Sequence, residues 1–226
     1  MQSARLTTTS YALLGQLALC PWTPYALAAE MRRNLRYFWP RAERGVYAEL
    51  KRLAARGLAV ADTRLIGRRP RTTYAITGAG RQVLDAWLAD EPRGVSLEAE
   101  SVLRVFLGHL GTREQLLAAV DRAAADAHEL LAQSGPRVGR EYLENRAPFQ
   151  EYVHLRALVF DFLTEFALAV QRWSDRTRAE VLNWQDVELS PSKRDQALRL
   201  IALDLARPSA DQVVQPVVAL ADSVRP

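Results

Sequence analysis

Three guanidinium side chains stand within four positions at Arg68, Arg69 and Arg71. Crowded this closely they repel one another unless an anion lies among them, and each carries a planar fork that matches a phosphate. A second cationic group, Arg44, Lys51 and Arg52, falls on a helix-period stretch that also holds Tyr47, whose hydroxyl can donate to a phosphate oxygen. Tyr74 has the same hydroxyl, but an aromatic at strand spacing is read as core. Bond-making chemistry is not indicated. His109, His128 and His154 are the only histidines, and none has a second at metal-ligand spacing. Cys20 is the single cysteine, which excludes a disulfide framework and a sulfur-rich zinc site. Neither a glycine-rich phosphate loop nor a nucleophile elbow occurs. Asp161 and Glu165, one helical turn apart, read as the polar edge of an interface helix rather than as an acid pair. No catalytic residue, metal or cofactor is therefore expected, and the cations point to a phosphate-bearing polyanion.

The charge is unevenly divided over the 226 residues. Residues 1–92 hold 14 Lys and Arg against 7 acids, whereas residues 93–226 hold 16 against 19. A polyanion is drawn to the first part and not to the second. Between them Asp90-Glu91-Pro92-Arg93-Gly94 combines a helix-stopping proline with a glycine, the best linker in the chain. The expected organisation is a DNA-binding domain over 1–92, a helical dimerisation and effector domain over 93–189, and a helical extension over 190–226. With 49% hydrophobic and 25% charged residues the chain is an ordinary globular one. The start lacks an apolar run of signal-peptide length. The most apolar segment, Ala157 to Val170, is broken by Asp161, Thr164 and Glu165 and falls short of the about 20 residues that a bilayer requires. A cytoplasmic protein without a membrane partner is expected, in keeping with the single cysteine.

The first ninety residues supply elements to carry the cations. Thr9 or Ser10 can cap a helix through Tyr11, Leu13, Leu14, Leu17 and Ala18, stopped by Cys20-Pro21. Thr23 with Pro24 opens a second, in which Tyr25, Leu27, Ala28, Met31 and Leu35 recur up to Phe38-Trp39-Pro40. A third runs from about Ala42 to Arg56 with Val46, Leu50 and Leu53 buried, Arg44, Ala48, Lys51 and Ala55 on the opposite line, and Gly57 as its left-handed stop. The period then changes: Leu58 to Leu65 and Thr72 to Ile76 read as strands on either side of a basic tip, Gly67 to Arg71. Thr77 caps a last helix, Gly78 to Ala89, with Val83, Leu84, Trp87 and Leu88 inward. Helix, helix, helix, hairpin, helix is the order of a winged helix-turn-helix, which lays its third helix in the major groove, about 12 Å wide, and its hairpin along the backbone or minor groove. Arg44, Tyr47, Lys51, Arg52, Arg68, Arg69 and Arg71 are the candidate contacts to double-stranded operator DNA.

These residues resemble a family. Tyr11-Ala-Leu-Leu-Gly15, Tyr25-Ala-Leu27, Phe38-Trp39-Pro40, Val46-Tyr47-Ala-Glu-Leu50-Lys-Arg-Leu53, Gly57-Leu58 and Gly67-Arg-Arg-Pro70-Arg71-Thr-Thr-Tyr74-Ala-Ile-Thr77-Gly-Ala-Gly80 are similar to the PadR family of bacterial transcriptional regulators. The likeness covers about residues 8 to 92, and Phe38-Trp39-Pro40 with the long C-terminal part resembles the larger subfamily, whose second domain is helical. It implies a homodimeric repressor released by a small ligand, such as an aromatic or phenolic compound. Ala42 and Ala48 stand where the family usually has Ser and Pro, and Gly45 replaces a longer polar residue, so the operator sequence does not follow from the resemblance.

In the second half Glu98 to Leu110 reads as a short helix with Val102, Leu103, Phe106 and Leu107 inward, closed by Gly111. Thr112-Arg-Glu-Gln115 fits a capping box ahead of a seam of Leu117, Val120, Ala124, Ala127 and Leu131. A long helix from about Phe149 to Trp184 is apolar over more than one stripe and needs cover on two sides. A second copy related by a two-fold axis supplies the second cover most simply, giving a homodimer through Leu155, Leu158, Phe162, Phe166, Val170 and Trp173. Trp39, Phe106, His109, Tyr152 and His154 near the domain junction are the candidate effector pocket. A further helix, Lys193 to Ala206, precedes Pro208 and Pro216. The expected fold class is mainly α, a winged helix-turn-helix with a two-stranded β wing followed by an all-helical dimerisation domain. The competing reading, a winged-helix module used only in protein assembly, leaves the arginines at the hairpin tip without a purpose.

Overall fold

Thr7, rather than Thr9 or Ser10, caps the first helix, α1 (Thr8–Leu19): its hydroxyl accepts from the Ser10 amide, and Ser10 returns the contact as the third helical residue. The cap falls one turn early because this reciprocal box needs partners three residues apart. The computed structural model describes residues 6–39, 45–67 and 69–207. α2 (Pro24–Leu35) starts behind Thr23, whose hydroxyl accepts from the Ala26 amide at 3.2 Å, and it ends before Phe38 and Trp39. α3 (Val46–Ala55) leads into an antiparallel hairpin of β1 (Ala59–Ile66) and β2 (Arg69–Ile76), and Thr77 caps α4 (Gly78–Ala89). Leu13, Leu14 and Leu17 of α1 meet Leu27 and Met31 of α2, Val46, Leu50 and Leu53 of α3, Leu58, Ala59 and Tyr74 of the hairpin, and Leu84 of α4 in one core. This is a winged helix-turn-helix.

The chain forms two compact units, Met1–Glu98 with Tyr142–Phe166, and Ala99–Glu141 with Ala167–Pro226. The second half is helical: α5 (Glu100–Phe106), α6 (Arg113–His128), a π-helical stretch Glu129–Ser134, α7 (Gly135–Leu143), α8 (Val153–Leu182) and α9 (Pro191–Leu205). The capping box of Thr112 and Gln115 is present, and α5 packs on α6. The buried seam of α6 is Leu116, Val120, Ala123, Ala127 and then Leu130, one residue round from the expected seam of Leu117, Ala124 and Leu131. Both seams share Val120 and Ala127. The observed one also buries Ala119, so that small side chains make up much of the contact. Arg113 donates to the Trp184 carbonyl at 2.6 Å, and Arg178 pairs with Asp121 at 2.8 Å, tying α6 to the far part of α8. α9 is anchored by Lys193, which donates to the Asp186 carboxylate at 2.7 Å and lies over the Trp184 ring.

α5 departs from expectation, with Val102, Leu103, Phe106 and Leu107 exposed. α8 buries one narrow line, Leu163, Ala167, Ser174 and Val181. α9 begins at Pro191, two residues before the expected Lys193, because Ser190 caps it. Pro208 and Pro216 lie outside the described residues. No described helix is long and apolar enough to cross a membrane.

Candidate nucleic-acid interface

Gly45 sets the start of α3. Its φ of 77° is left-handed and cannot continue a right-handed helix, so α3 begins at Val46 and not near Ala42. The far end closes on Gly57 at φ 70°, whose amide reaches the Ala54 carbonyl at 2.9 Å while Leu58 returns to Leu53 at 2.9 Å. Between these stops Val46, Leu50 and Leu53 face the core, as their spacing predicts, and Tyr47 (55% exposed), Ala48, Lys51, Arg52 and Ala55 face solvent. Small Ala48 and Ala55 form the middle of that face, flanked by Lys51 and Arg52, an arrangement that lets a helix approach base edges closely. Glu49 is the member of α3 that the spacing misses. It is buried, accepts from Ser10 Oγ at 2.5 Å and pairs with Arg52. Its place on the buried line, three residues after Val46, was the available signal. Arg44 lies outside the described residues.

The hairpin is tighter than its sequence suggests. Pairing runs out to Ile66 opposite Arg69, so Arg69 and Arg71 belong to a strand and not to a loop, and Gly67 turns the chain at φ 62°. Side chains alternate across a strand. Tyr74 and Ala59, both buried, therefore define a core face, and Arg69 and Arg71 fall on the opposite one. Register places Arg64 directly across from Arg71, a cation that composition did not single out. Had a two-residue turn at Gly67 been assumed, Arg64 would have appeared there. Like charges opposite each other disfavour the hairpin. Asp62 relieves part of this by accepting from Arg64 Nε at 2.8 Å, and on the opposite face of the hairpin Thr63 and Thr72 share an exposed hydrogen bond of 2.8 Å. An anion placed among Arg64, Arg69 and Arg71 would relieve the remainder. Arg68 lies outside the described residues.

The root of the wing is braced twice. Trp22 exchanges main-chain hydrogen bonds with Tyr74, 2.9 Å from its amide and 2.8 Å to its carbonyl, so the α1–α2 connection adds a third, one-residue strand. The Trp22 indole donates to the Gln16 carbonyl at 2.9 Å. On the other side α4 crosses so close to the hairpin that a Cβ at Gly80 stands 2.1 Å from the Leu58 carbonyl oxygen. Tyr11 and Trp87 stack with centroids 4.8 Å apart, holding α4 to α1.

Of the dimer candidates, Leu155, Leu158, Phe162 and Phe166 are exposed on α8, with Leu158 at 69% and Phe162 at 53%, and Val170 and Trp173 are half-buried. Of the effector candidates, Trp39, Tyr152 and His154 belong to the first unit and Phe106 and His109 to the second. Trp39 Nε1 points at Thr9 Oγ1, 3.4 Å away. Burial, and then the Glu30 carboxylate, push the Cys20 thiol up. Among the described residues no three His, Cys, Asp or Glu gather as a metal site.

No family model and no curated protein matches the chain. Solved structures do. PadR of Bacillus subtilis in complex with operator DNA is similar at TM-score 0.63 and 20% identity, with 77% of this chain and 99% of that one covered. The same protein in complex with p-coumaric acid gives 0.56 over the same shares at 20% identity. A PadR-like transcriptional regulator of Bacillus cereus is similar at 0.64 and 14% identity over 80% and 99%, and the virulence activator AphA of Vibrio cholerae at 0.57 and 20% over 77% and 98%. The chain has the fold of the PadR-like transcriptional regulators.

Proposed function

We propose that this protein is a DNA-binding transcriptional regulator that works as a homodimeric repressor and is released by a small aromatic or phenolic ligand. The observation that carries the DNA reading is the outward face of the wing, where Arg64 stands across from Arg71 and beside Arg69 on a hairpin whose other face is buried at its root, at Ala59 and Tyr74. Exposed Tyr47, Lys51 and Arg52 on α3 supply the groove-facing partner, and Arg44 and Arg68 add charge at the same two places in the sequence. Dimerisation is supported by Leu155, Leu158, Phe162 and Phe166, an apolar line that a second copy covers. Two copies present two recognition helices to half-sites about 34 Å apart or a multiple of that. The effector reading rests on the likeness to PadR bound to p-coumaric acid, with Trp39, Phe106, His109, Tyr152 and His154 as the residues to examine. Such a ligand acts through its affinity difference between DNA-competent and incompetent dimers, for which about 1–3 kcal/mol suffices.

The test is a gel shift on the protein's own upstream region over a salt series, with Arg64, Arg69 and Arg71 changed to Ala singly and together. Each lost phosphate contact should lower the slope of log K against log salt by about 0.9 and weaken binding on every sequence alike. Binding with an unchanged slope in the triple variant removes the wing from the interface, and a wild type that binds no duplex removes the DNA reading.

A further inference from the structure

α3 carries a carboxylate inside the protein, and both of its oxygens are occupied. Glu49 is 5% exposed; its Oε1 accepts from Ser10 Oγ at 2.5 Å and its Oε2 faces the Arg52 guanidinium. A buried carboxylate is tolerated only when it is paired and hydrogen-bonded. Ser10 is itself 1% exposed and is fixed from the other side, since its Oγ accepts from the Thr7 amide at 3.0 Å and lies 3.0 Å from Thr7 Oγ1. A hydrogen-bonded chain therefore runs from the cap of α1 through Ser10 and Glu49 to Arg52, whose side chain is 66% exposed on the solvent face of α3. One edge of the guanidinium is held by the carboxylate. Among the described residues the other N–H groups remain for a ligand, because a guanidinium has five donors in a rigid fork.

We propose that Glu49 is a positioning residue for base recognition: it fixes Arg52 so that the free edge of the guanidinium meets a base edge in the major groove, guanine being the base whose paired acceptors match it. This rests on the DNA-binding reading and assigns Arg52 the role of a sequence reader, in contrast to the wing arginines, which contact phosphates. The arginine loses its rotamer freedom on folding, and DNA binding does not have to remove it again. Two roles for Glu49, plain neutraliser or buttress, differ in sign. As a neutraliser of Arg52 it opposes a polyanion, and its removal raises affinity for all duplexes. As a buttress it serves the operator alone, and its removal lowers operator affinity without lowering affinity for random DNA.

The experiment uses the full chain and measures affinity for an operator selected from genomic fragments and for a random duplex of equal length, over a salt series. Glu49→Gln keeps the shape and an acceptor for Ser10 but ends the ion pair. Its operator-to-random ratio should fall about 10-fold, the scale of one base contact, with random-DNA affinity equal or higher. Arg52→Ala should lose as much, and Glu49→Gln added to Arg52→Ala should change the ratio no further. Arg52→Lys, a surface change that keeps the fold and the charge, should retain the salt slope and lose the ratio as Arg52→Ala does. A rise or fall shared equally by both duplexes in Glu49→Gln, an additive double variant, or a ratio kept by Arg52→Lys overturns the buttress. A wild type that binds no duplex overturns the DNA reading with it, whereas a discriminating wild type matched by Glu49→Gln overturns the buttress alone.

Discussion

Adding one methyl group at Gly80 should unseat the wing. Gly80 is the third residue of α4, and its amide donates to Thr77 Oγ1 at 3.1 Å. A Cβ there meets the Leu58 carbonyl oxygen at 2.1 Å and Ile76 Cγ1 at 2.8 Å. The carbonyl is poorly placed to yield, because it accepts from the Thr77 amide at 3.1 Å while Thr77 Oγ1 donates to the Gly57 carbonyl at 2.6 Å. The first turn of α4 must therefore withdraw by roughly 1 Å, an overpacking that costs about 1–3 kcal/mol. Loss of the Thr77–Leu58 hydrogen bond adds about 1 kcal/mol. Against this, alanine gains about 1 kcal/mol over glycine within a helix. Gly80→Ala should thus destabilise by about 2 kcal/mol, or lower Tm by about 4–8 °C at this chain length. Gly78→Ala is the control: nothing lies within 4 Å of its Cβ. That change should be neutral or stabilising by up to about 1 kcal/mol. Guanidinium denaturation followed by tryptophan fluorescence reads the difference, since Trp22 and Trp87 both lie in this unit. A Gly80→Ala protein as stable as wild type would refute the close crossing of α4 over the wing root.

Two further outcomes test other parts of the molecule. Phe162→Arg or Phe166→Arg should convert the proposed dimer to monomer or aggregate in analytical ultracentrifugation, because an unpartnered charge is then buried in the interface; a wild type that sediments as a monomer at all concentrations removes the need for it. The Lys193 ammonium, and then the Glu188 amide, hold the Asp186 carboxyl below its ordinary value. A carboxyl depressed in the folded state stabilises above its unfolded pKa of about 4 and loses that contribution as pH falls through the folded value. Protease cutting at the α8–α9 connection should therefore increase on acidification below about pH 4 in the wild type, and Lys193→Met should cut readily at neutral pH with little further change.

The elements whose residues carry their own local signal were legible. Val46, Leu50 and Leu53 recur at helical spacing and are buried, Thr23, Thr77 and Thr112 each cap the helix they precede, and Gly57 is left-handed. What escaped depends on partners far along the chain. Ser10 and Glu49, 39 residues apart, look like surface residues until each is given the other. Trp22 shows no strand signal, because its pairing with Tyr74 involves one residue and no alternation. Arg64 was hidden by the length of the turn, since the face of every hairpin residue depends on register. The seam of α6 was off by one residue because alanine-rich sequence offers two apolar lines of similar strength, and only a neighbouring helix chooses between them. Arg64 and Glu49, the two residues that add most to the candidate interface, were both missed in this way.

The pairing of Trp22 with Tyr74 also decides how the wing can move. A hairpin attached at its two ends alone swings about them as about a hinge. Here β2 is clamped at Tyr74 from its open edge by two main-chain hydrogen bonds, and Trp22 is tied in turn to α1 through its indole. The rotation axis is thereby displaced outward, past Tyr74, and the lever that remains is the short length from Thr72 to Gly67. Amide exchange should divide at that line, with Trp22 and Tyr74 among the slowest of the domain and Thr72, whose amide shares the open edge with that of Tyr74 but lies beyond the clamp, among the fastest of β2. Any adjustment of the wing to a bound partner then belongs to the last few residues of the hairpin, while α3 and the root of the wing travel as one piece.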